Sequence, residues 1–422
     1  MNETILCLPN LVAVLATSSS SPLTPKSVTI VELTKTLGST VKHDDANKVI
    51  TFLGMLLTYT EEDQINIGFL AESSTGKSYI PLEISQYFPV EDVMETGYAS
   101  PTAFFHDYSS FRKDMKGKQR FLVDLHQKIL IFMDQPHDQL LQRLRPILSH
   151  DKKVIPLMIT DRNKNKNLRT KRIDIQGYPT VIFASARFGM SDQEKTRLLL
   201  LSPEASQEKL HESISLKIAK ESNRDEFRAS LRKDSMRAEL VQRVIEVKSA
   251  HIKQIIVSSE LQKELTRRFF TKHDKLAPRH QRDVSRLLAL IKGHALLNFR
   301  LRKNADSCIE VLPEDVEAGF TLYEKVSEAN ELGLSPELYE IFQKLTPYMK
   351  EFPMNEEGIT IVDYQNFYEQ DFFRKLNYDI ARETLKTFVS MGLITEFVDP
   401  NDRRTKRYLL FRCVQKTEKS TQ

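Results

Sequence analysis

The most restrictive feature of this chain is a series of short, β-rich apolar runs, Ile65–Leu70, Val93–Thr96, Ile129–Met133, Thr180–Ala184 and Leu198–Leu201, alternating with helical stretches between Ile65 and Pro203. Runs that stay apolar along their length, instead of at every second residue, are buried on both faces. Such strands belong to parallel sheets flanked by helices, so the expectation is an α/β core. With 422 residues, 28% charged and 40% hydrophobic, the chain has an ordinary globular composition and room for two or three domains with real cores.

Composition shifts divide the rest. The serine run Ser18 to Ser21, followed by Pro22 and Pro25, reads as a linker. Apolar spacing from about Val28 to Tyr59 predicts two helices, the second within DDANKVITFLGMLLTYT, with Asp44 or Asp45 as its N-cap. After Glu204 the chain becomes charged and helical, and after Leu334 helices precede a β-hairpin. The organisation read from this is a short helical segment with its linker (1–60), a sheet-bearing core (61–203), a helical domain (204–333) and a small α+β domain (334–415).

A formal charge of +4 excludes a uniformly basic coat, so nucleic-acid contact has to come from local clusters. Cys7, Cys308 and Cys413 lie far apart with no CxxC, which argues against a zinc site or a disulfide framework and fits a reducing cytosol. The apolar stretch ILCLPNLVAVLATSSSS lacks a basic start and is interrupted by Pro9 and Asn10, unlike a secretion signal. No stretch approaches the roughly 20 apolar residues of a membrane span. A soluble cytoplasmic protein with no membrane partner is expected.

Directly after the first strand comes AESSTGKS, Ala71, Glu72, Ser73, Ser74, Thr75, Gly76, Lys77 and Ser78. It nearly matches GxxxxGK[ST], in which backbone N–H groups hold phosphate oxygens, the lysine neutralises the outer phosphates and the hydroxyl holds Mg²⁺. Ala71 stands where glycine is usual, a change tolerated at negative φ. Pro81 removes a backbone hydrogen bond from the following helix and is expected to kink it. A second run, KILIFMDQP, ends in Asp134, 57 residues after Lys77, where a carboxylate at the C-terminal edge of a parallel sheet reaches the same metal. ATP and Mg²⁺ are the expected ligands.

The order of elements resembles an AAA+ ATPase, and within that class the branch that includes the minichromosome maintenance helicases. After Asp134 come a helix (HDQLLQRLRPILSHD), two β-like arms (Val154–Thr160 and Arg172–Gln176) around a basic tip, and the strand TVIFASA. The arms are similar to the hairpin that this branch projects into the channel of a ring to contact DNA. Ser185 then matches the polar sensor position near the γ-phosphate. EKTRLLLLSPE is similar to the segment that presents an arginine finger, which implies that role for Arg197. PRHQRDVSRLLALIKGHALLNFRLR is similar to the lid helix carrying a second sensor, at Arg282 by register, with Arg279 as the other candidate. VLPEDVEAGFTLY resembles the helix that closes the lid. The resemblance covers roughly Ile65 to Val326 and implies a homo-oligomeric ring, a hexamer. One departure stands out. The family's water-polarising glutamate is Gln135 here, and an amide cannot accept a proton. Hydrolysis is therefore expected to be slow, to use Asp138 or Glu72 instead, or to be dispensable.

DRNKNKNLRTKR carries Arg162, Lys164, Lys166, Arg169, Lys171 and Arg172 against one acid, Asp161, a composition suited to sequence-independent phosphate contact. The C-terminal pattern, ending in a helix Tyr378–Met391 and a hairpin with a DPNDRR turn, resembles a winged helix. That fold implies duplex DNA contact by the helix and by the wing cations Arg403, Arg404, Lys406 and Arg407. The outward face of the helix, with Asp379 and Glu383 beside Arg382 and Lys386, is not strongly basic. Three functions fit: an MCM-like helicase or ATP switch in replication or mobile-element maintenance; an origin-binding or loader ATPase; or a signalling or scaffold ATPase that grips a protein.

Overall fold

The computed structural model describes residues 26–410, apart from 72–74, 98–109, 114–118, 135, 137, 163–167, 186–196, 205, 274–275, 277, 333, 335, 352–357 and 400–401. In chain order, the sheet-bearing part runs α1 (Ile30–Leu37), α2 (Asp45–Leu56), β1 (Asn66–Leu70), α3 (Tyr79–Ser85), β2 (Val93–Thr96), β3 (Ser110–Lys113), β4 (Gln119–Asp124), β5 (Ile129–Phe132), α4 (Asp138–Leu148), β6 (Val154–Arg162), β7 (Leu168–Gln176), β8 (Thr180–Ser185) and β9 (Leu198–Leu201). A helical part follows: α5 (Gln207–Ser222), α6 (Arg224–Lys233), α7 (Ser235–Ala250), β10 (Gln254–Ile256), α8 (Ser259–Lys272), α9 (His280–Leu297), β11 (Asn304–Ala305), β12 (Cys308–Glu310) and α10 (Pro313–Glu331). The chain ends with α11 (Pro336–Glu351), α12 (Ile361–Phe372), α13 (Tyr378–Ser390), β13 (Ile394–Val398) and β14 (Lys406–Leu410).

The five apolar runs form one parallel sheet in the order β2-β5-β8-β1-β9, so the fold is α/β. Successive side chains of a strand point to opposite faces, and both faces are filled. Ile67, Phe69, Ile129, Ile131, Ile182, Ala184, Leu199 and Leu201 pack into one cluster with α2 and α3. Leu130, Phe132, Val181, Phe183, Leu198 and Leu200 pack into another with Leu140, Leu141, Leu144 and Ile147 of α4.

The N-terminal helices belong to this core. Every residue of α2 from Asn47 to Leu56 is buried, the pattern of a helix enclosed on all sides. A Cβ on Gly54 would lie 2.9 Å from Ile67 Cδ1, so a side chain there would have to push the end of Ile67 aside where the helix meets β1. Thr180 Oγ1 donates to Gly54 O at 2.9 Å and Thr58 Oγ1 to Lys128 O at 2.8 Å, satisfying polar groups where helix meets sheet. Asp44 holds the N-cap position, but its carboxylate makes no capping bond; it is committed elsewhere.

A second sheet, β3-β4-β7-β6, joins two antiparallel hairpins through the parallel pair β4–β7. The arms expected around the basic tip are β6 and β7. The β3–β4 hairpin has no counterpart among the expected strands. The chain divides into two compact units, 1–327 and 328–422. The second is a helix bundle of α11, α12 and α13 closed by the antiparallel pair β13–β14, with a single bridge from Ile359 to Tyr408. Among the described residues, no helix is long and apolar enough to cross a membrane.

If α2 is core, Leu53→Ala, at a fully buried position, lowers the unfolding free energy by about 2–5 kcal/mol. Val31→Ala, at a position 77% exposed on α1, changes it by no more than about 0.5 kcal/mol. Denaturant melts of both variants check this, and equal losses would contradict the packing.

Candidate functional site

Three adjacent strands bring the motif residues to one edge of the main sheet. β1 leads into the 71–78 loop, β8 beside it ends at Ser185, and β5 beside that leads to Asp134. Neighbouring strands lie about 4.8 Å apart, so the outer two of the three ends are about 10 Å apart. The chain leaves β1 across β8 and β5 to the far edge at β2, whereas from β8 it passes β1 to reach β9. Adjacent strands whose connections depart in opposite directions open a crevice at their C-terminal ends, the usual ligand position in such sheets.

The loop is anchored at both ends. The buried Ala71 donates its N–H to Ser185 O at 3.3 Å, and Ser202 Oγ donates to Leu70 O at 2.6 Å. Gly76 has φ +98°, a conformation that side chains resist, and a Cβ there would meet nothing within 4 Å. Its carbonyl accepts from Ile80 N–H at 3.0 Å, opening the turn that becomes α3. Pro81 costs one rung of that ladder, which resumes with Leu82 N–H to Ser78 O at 3.3 Å. Thr75, Gly76, Lys77 and Ser78 are half-buried, Ser185 is buried and Asp134 is exposed. Glu72, Ser73, Ser74 and Gln135 lie outside the described residues, as does the side chain of Asp138.

Arg197 and Arg282 are not at this edge. Arg197 precedes β9 and so lies at the sheet's opposite end, about 13 Å of strand away from the C-terminal edge. Its guanidinium donates to Ser149 Oγ. Arg197 and Arg282, the latter exposed in the first turn of α9, line one cleft at that opposite end, together with Glu62, Asp63, Asp151 and Lys292. Arg286, one turn further along α9, is structural. It pairs with the buried Asp283 at 2.8 Å and donates to Leu198 O, tying α9 to β9 beside Arg197. Burial pushes its pKa down and Asp283 opposes that shift. Arg279, the other sensor candidate, also pairs with Asp283, at 3.3 Å.

Of the basic-tip residues, Lys171 and Arg172 are half-buried on β7, with Lys171 Nζ 5.5 Å from the centre of the Phe121 ring. The side chains of Arg162, Lys164, Lys166 and Arg169 lie outside the described residues. The missed hairpin is joined to β7 by Arg120, which grips the buried Asp174 through two bonds of 3.0 and 2.9 Å. Its signal was FRKDMKGKQRFLVD, two short runs around a lysine-glycine turn.

In the second unit the four cations expected to act as a wing divide. Arg407 pairs with the buried Asp399 and donates to Gly358 O at 3.1 Å, and Lys406 pairs with Glu396 at 2.5 Å. Arg403 and Arg404 are exposed in the turn. On α13, Lys386 pairs with Glu383 at 3.3 Å. Among the described residues no group of three or more His, Cys, Asp or Glu is placed to hold a metal.

Neither protein-family models nor curated proteins contain a match to this chain.

The arginines of α9 should separate by stability. Arg286→Met leaves Asp283 without its closest buried partner and costs about 3–5 kcal/mol. Arg282→Ala, at an exposed position, costs under about 0.5 kcal/mol. Chemical denaturation of the two variants measures the difference.

Proposed function

We propose that the chain is an ATP-binding AAA+ protein similar to the minichromosome maintenance branch, acting on DNA as an oligomeric ring. The observation that carries this reading is the convergence of TGKS, Ser185 and Asp134 on adjacent strand ends at a switch point of a parallel sheet. The residues present suit the ligand. Gly76 leaves open space above a left-handed backbone, Lys77 offers a cation to the outer phosphates, and Ser78 and Asp134 supply a hydroxyl and a carboxylate for Mg²⁺. Magnesium binds through few protein ligands plus phosphates and water, so it needs no preformed cluster of acids. The metal, when bound, neutralises charge on the phosphates.

Arg197 and Arg282 support the ring. Both line a cleft at the end of the sheet away from Lys77, so they serve the nucleotide of a second copy rather than their own. Ser185 orients water from the middle strand, and the neutral Gln135 holds it without taking its proton. That amide favours a second reading, an ATP switch that loads or docks on duplex DNA with little turnover. Under either reading the nucleic-acid contacts come from the β6–β7 tip and from Arg403 and Arg404, the wing cations that no ion pair engages among the described residues.

Lys77→Ala should abolish ATP binding in calorimetry, and unchanged affinity would refute the nucleotide reading. Arg197→Ala should bind ATP normally and hydrolyse it slowly. Adding Lys77→Ala subunits should restore part of the rate, because interfaces that set the intact Lys77 of one subunit against the intact Arg197 of its neighbour are complete, while those of the opposite orientation lack both. Full hydrolysis by monomeric Arg197→Ala would exclude the shared site. Neutralising Lys164, Lys166 and Arg169 together should weaken binding to all DNA sequences alike. The slope of log affinity against log salt should become shallower by about 0.7–0.9 for each phosphate that is no longer neutralised. A salt titration that leaves the slope unchanged would remove the hairpin from the interface.

A further inference from the structure

A helix of 16 residues normally buries apolar side chains. In α5 the one buried residue is Lys209, while Leu210, Ile214 and Ile218 face solvent at 39%, 58% and 61% exposure. Burying a lysine costs free energy unless every donor is matched. Lys209 Nζ has one ion-pair partner and two hydrogen-bond acceptors. It pairs with the Asp44 carboxylate and donates to Glu204 O at 2.8 Å and to Thr75 O at 3.2 Å.

The partner carboxylate is held just as firmly. Asp44, 1% exposed, accepts from Asn47 Nδ2 at 2.9 Å and from Glu204 N–H at 2.8 Å. Asn47 also donates to Ser202 O at 2.7 Å, and Ser202 Oγ holds Leu70 O at 2.6 Å. One network thus grips the 71–78 loop at its start, through Leu70, and near its end, through Thr75.

We infer that Lys209, held by Asp44, is a positioning residue that presets the phosphate loop for a polyphosphate ligand. The proposal rests on the nucleotide reading above. A trans peptide is planar, with its C=O and N–H pointing in opposite directions. Fixing Thr75 O toward Lys209 therefore turns the Gly76 N–H away from Lys209, which leaves it available to a phosphate oxygen when a polyphosphate binds. Gly76, at φ +98°, is the residue that lets the chain continue into α3 from that orientation. Lys209 touches no ligand itself and acts only through the peptide.

The test compares ATP with adenosine, which shares the base and sugar but lacks phosphate, on full-length wild type, Lys209→Met and Asp44→Asn. Calorimetry reads ATP, ligand-observed NMR reads adenosine, and thermal melts confirm folding. ATP affinity should fall roughly 10- to 100-fold in Lys209→Met, the scale of a disrupted hydrogen bond to a charged group. Adenosine affinity should not change. Asp44→Asn, which can still accept from Asn47, should show a smaller loss in the same direction and serves alone if Lys209→Met fails to fold. An unchanged ATP-to-adenosine ratio in a folded variant, whether both affinities hold or both fall together, would overturn the proposal and leave a purely structural ion pair. Wild type that binds no ATP would instead refute the nucleotide reading and this inference with it.

Discussion

Burial of the parallel sheet on both faces is the constraint on which the rest of the first unit depends. Because alternate residues of β1, β5, β8 and β9 enter opposite clusters, each strand needs cover above and below. On one face α2 gives that cover so completely that ten successive residues, Asn47 to Leu56, are buried. On the other, α4 gives it with Leu140, Leu141, Leu144 and Ile147. Parallel strands running between two such layers must release their outgoing loops along a single edge. That is why the 71–78 loop, Ser185 and Asp134, far apart in sequence, end side by side.

Buried ions set the registers between elements that the apolar core alone leaves loosely defined. Asp315, fully buried, contacts His294 and Arg302 at 2.7 Å each and accepts from Leu312 N–H at 2.8 Å, fixing α9 against the start of α10. Asp283 does the same for Arg286 and β9, and Asp44 for Lys209 and the 71–78 loop. Such pairs add little net stability, since desolvation offsets most of the attraction, but a displaced partner is strongly penalised. Their value lies in specifying one arrangement. Two of these three networks end on backbone next to a candidate functional residue: Leu198 follows Arg197, and Thr75 precedes Gly76 and Lys77.

Basic side chains in this protein thus do two different jobs. Arg120, Arg286, Arg302, Lys209 and Arg407 are committed to carboxylates that are themselves buried. Arg282, Arg403 and Arg404 are exposed. Nothing in the residue type separates the two groups. Lys406 and Arg407 read as wing cations beside Arg403 and Arg404, yet Lys406 pairs with Glu396 on the opposite strand and Arg407 with Asp399 just beyond that strand's end.

The sequence by itself determined the five strands of the main sheet, because a strand buried on both faces needs continuous apolar residues and so carries its burial in its composition. It likewise determined the helices of the second unit, and the strand-loop-helix setting of TGKS. Only the tertiary structure decided the order of the strands, since apolar runs of similar length carry no record of which neighbour they pair with. The β3–β4 hairpin escaped for the opposite reason: its strands are short and largely polar, and are held by pairing with β7 and by the Arg120–Asp174 pair. Placing Arg197 with Arg282, and turning Lys209 inward from an otherwise exposed helix, were also decisions of the fold. The physical reason is that exposure and partnership belong to the space around a side chain, and that space exists only once distant segments have met.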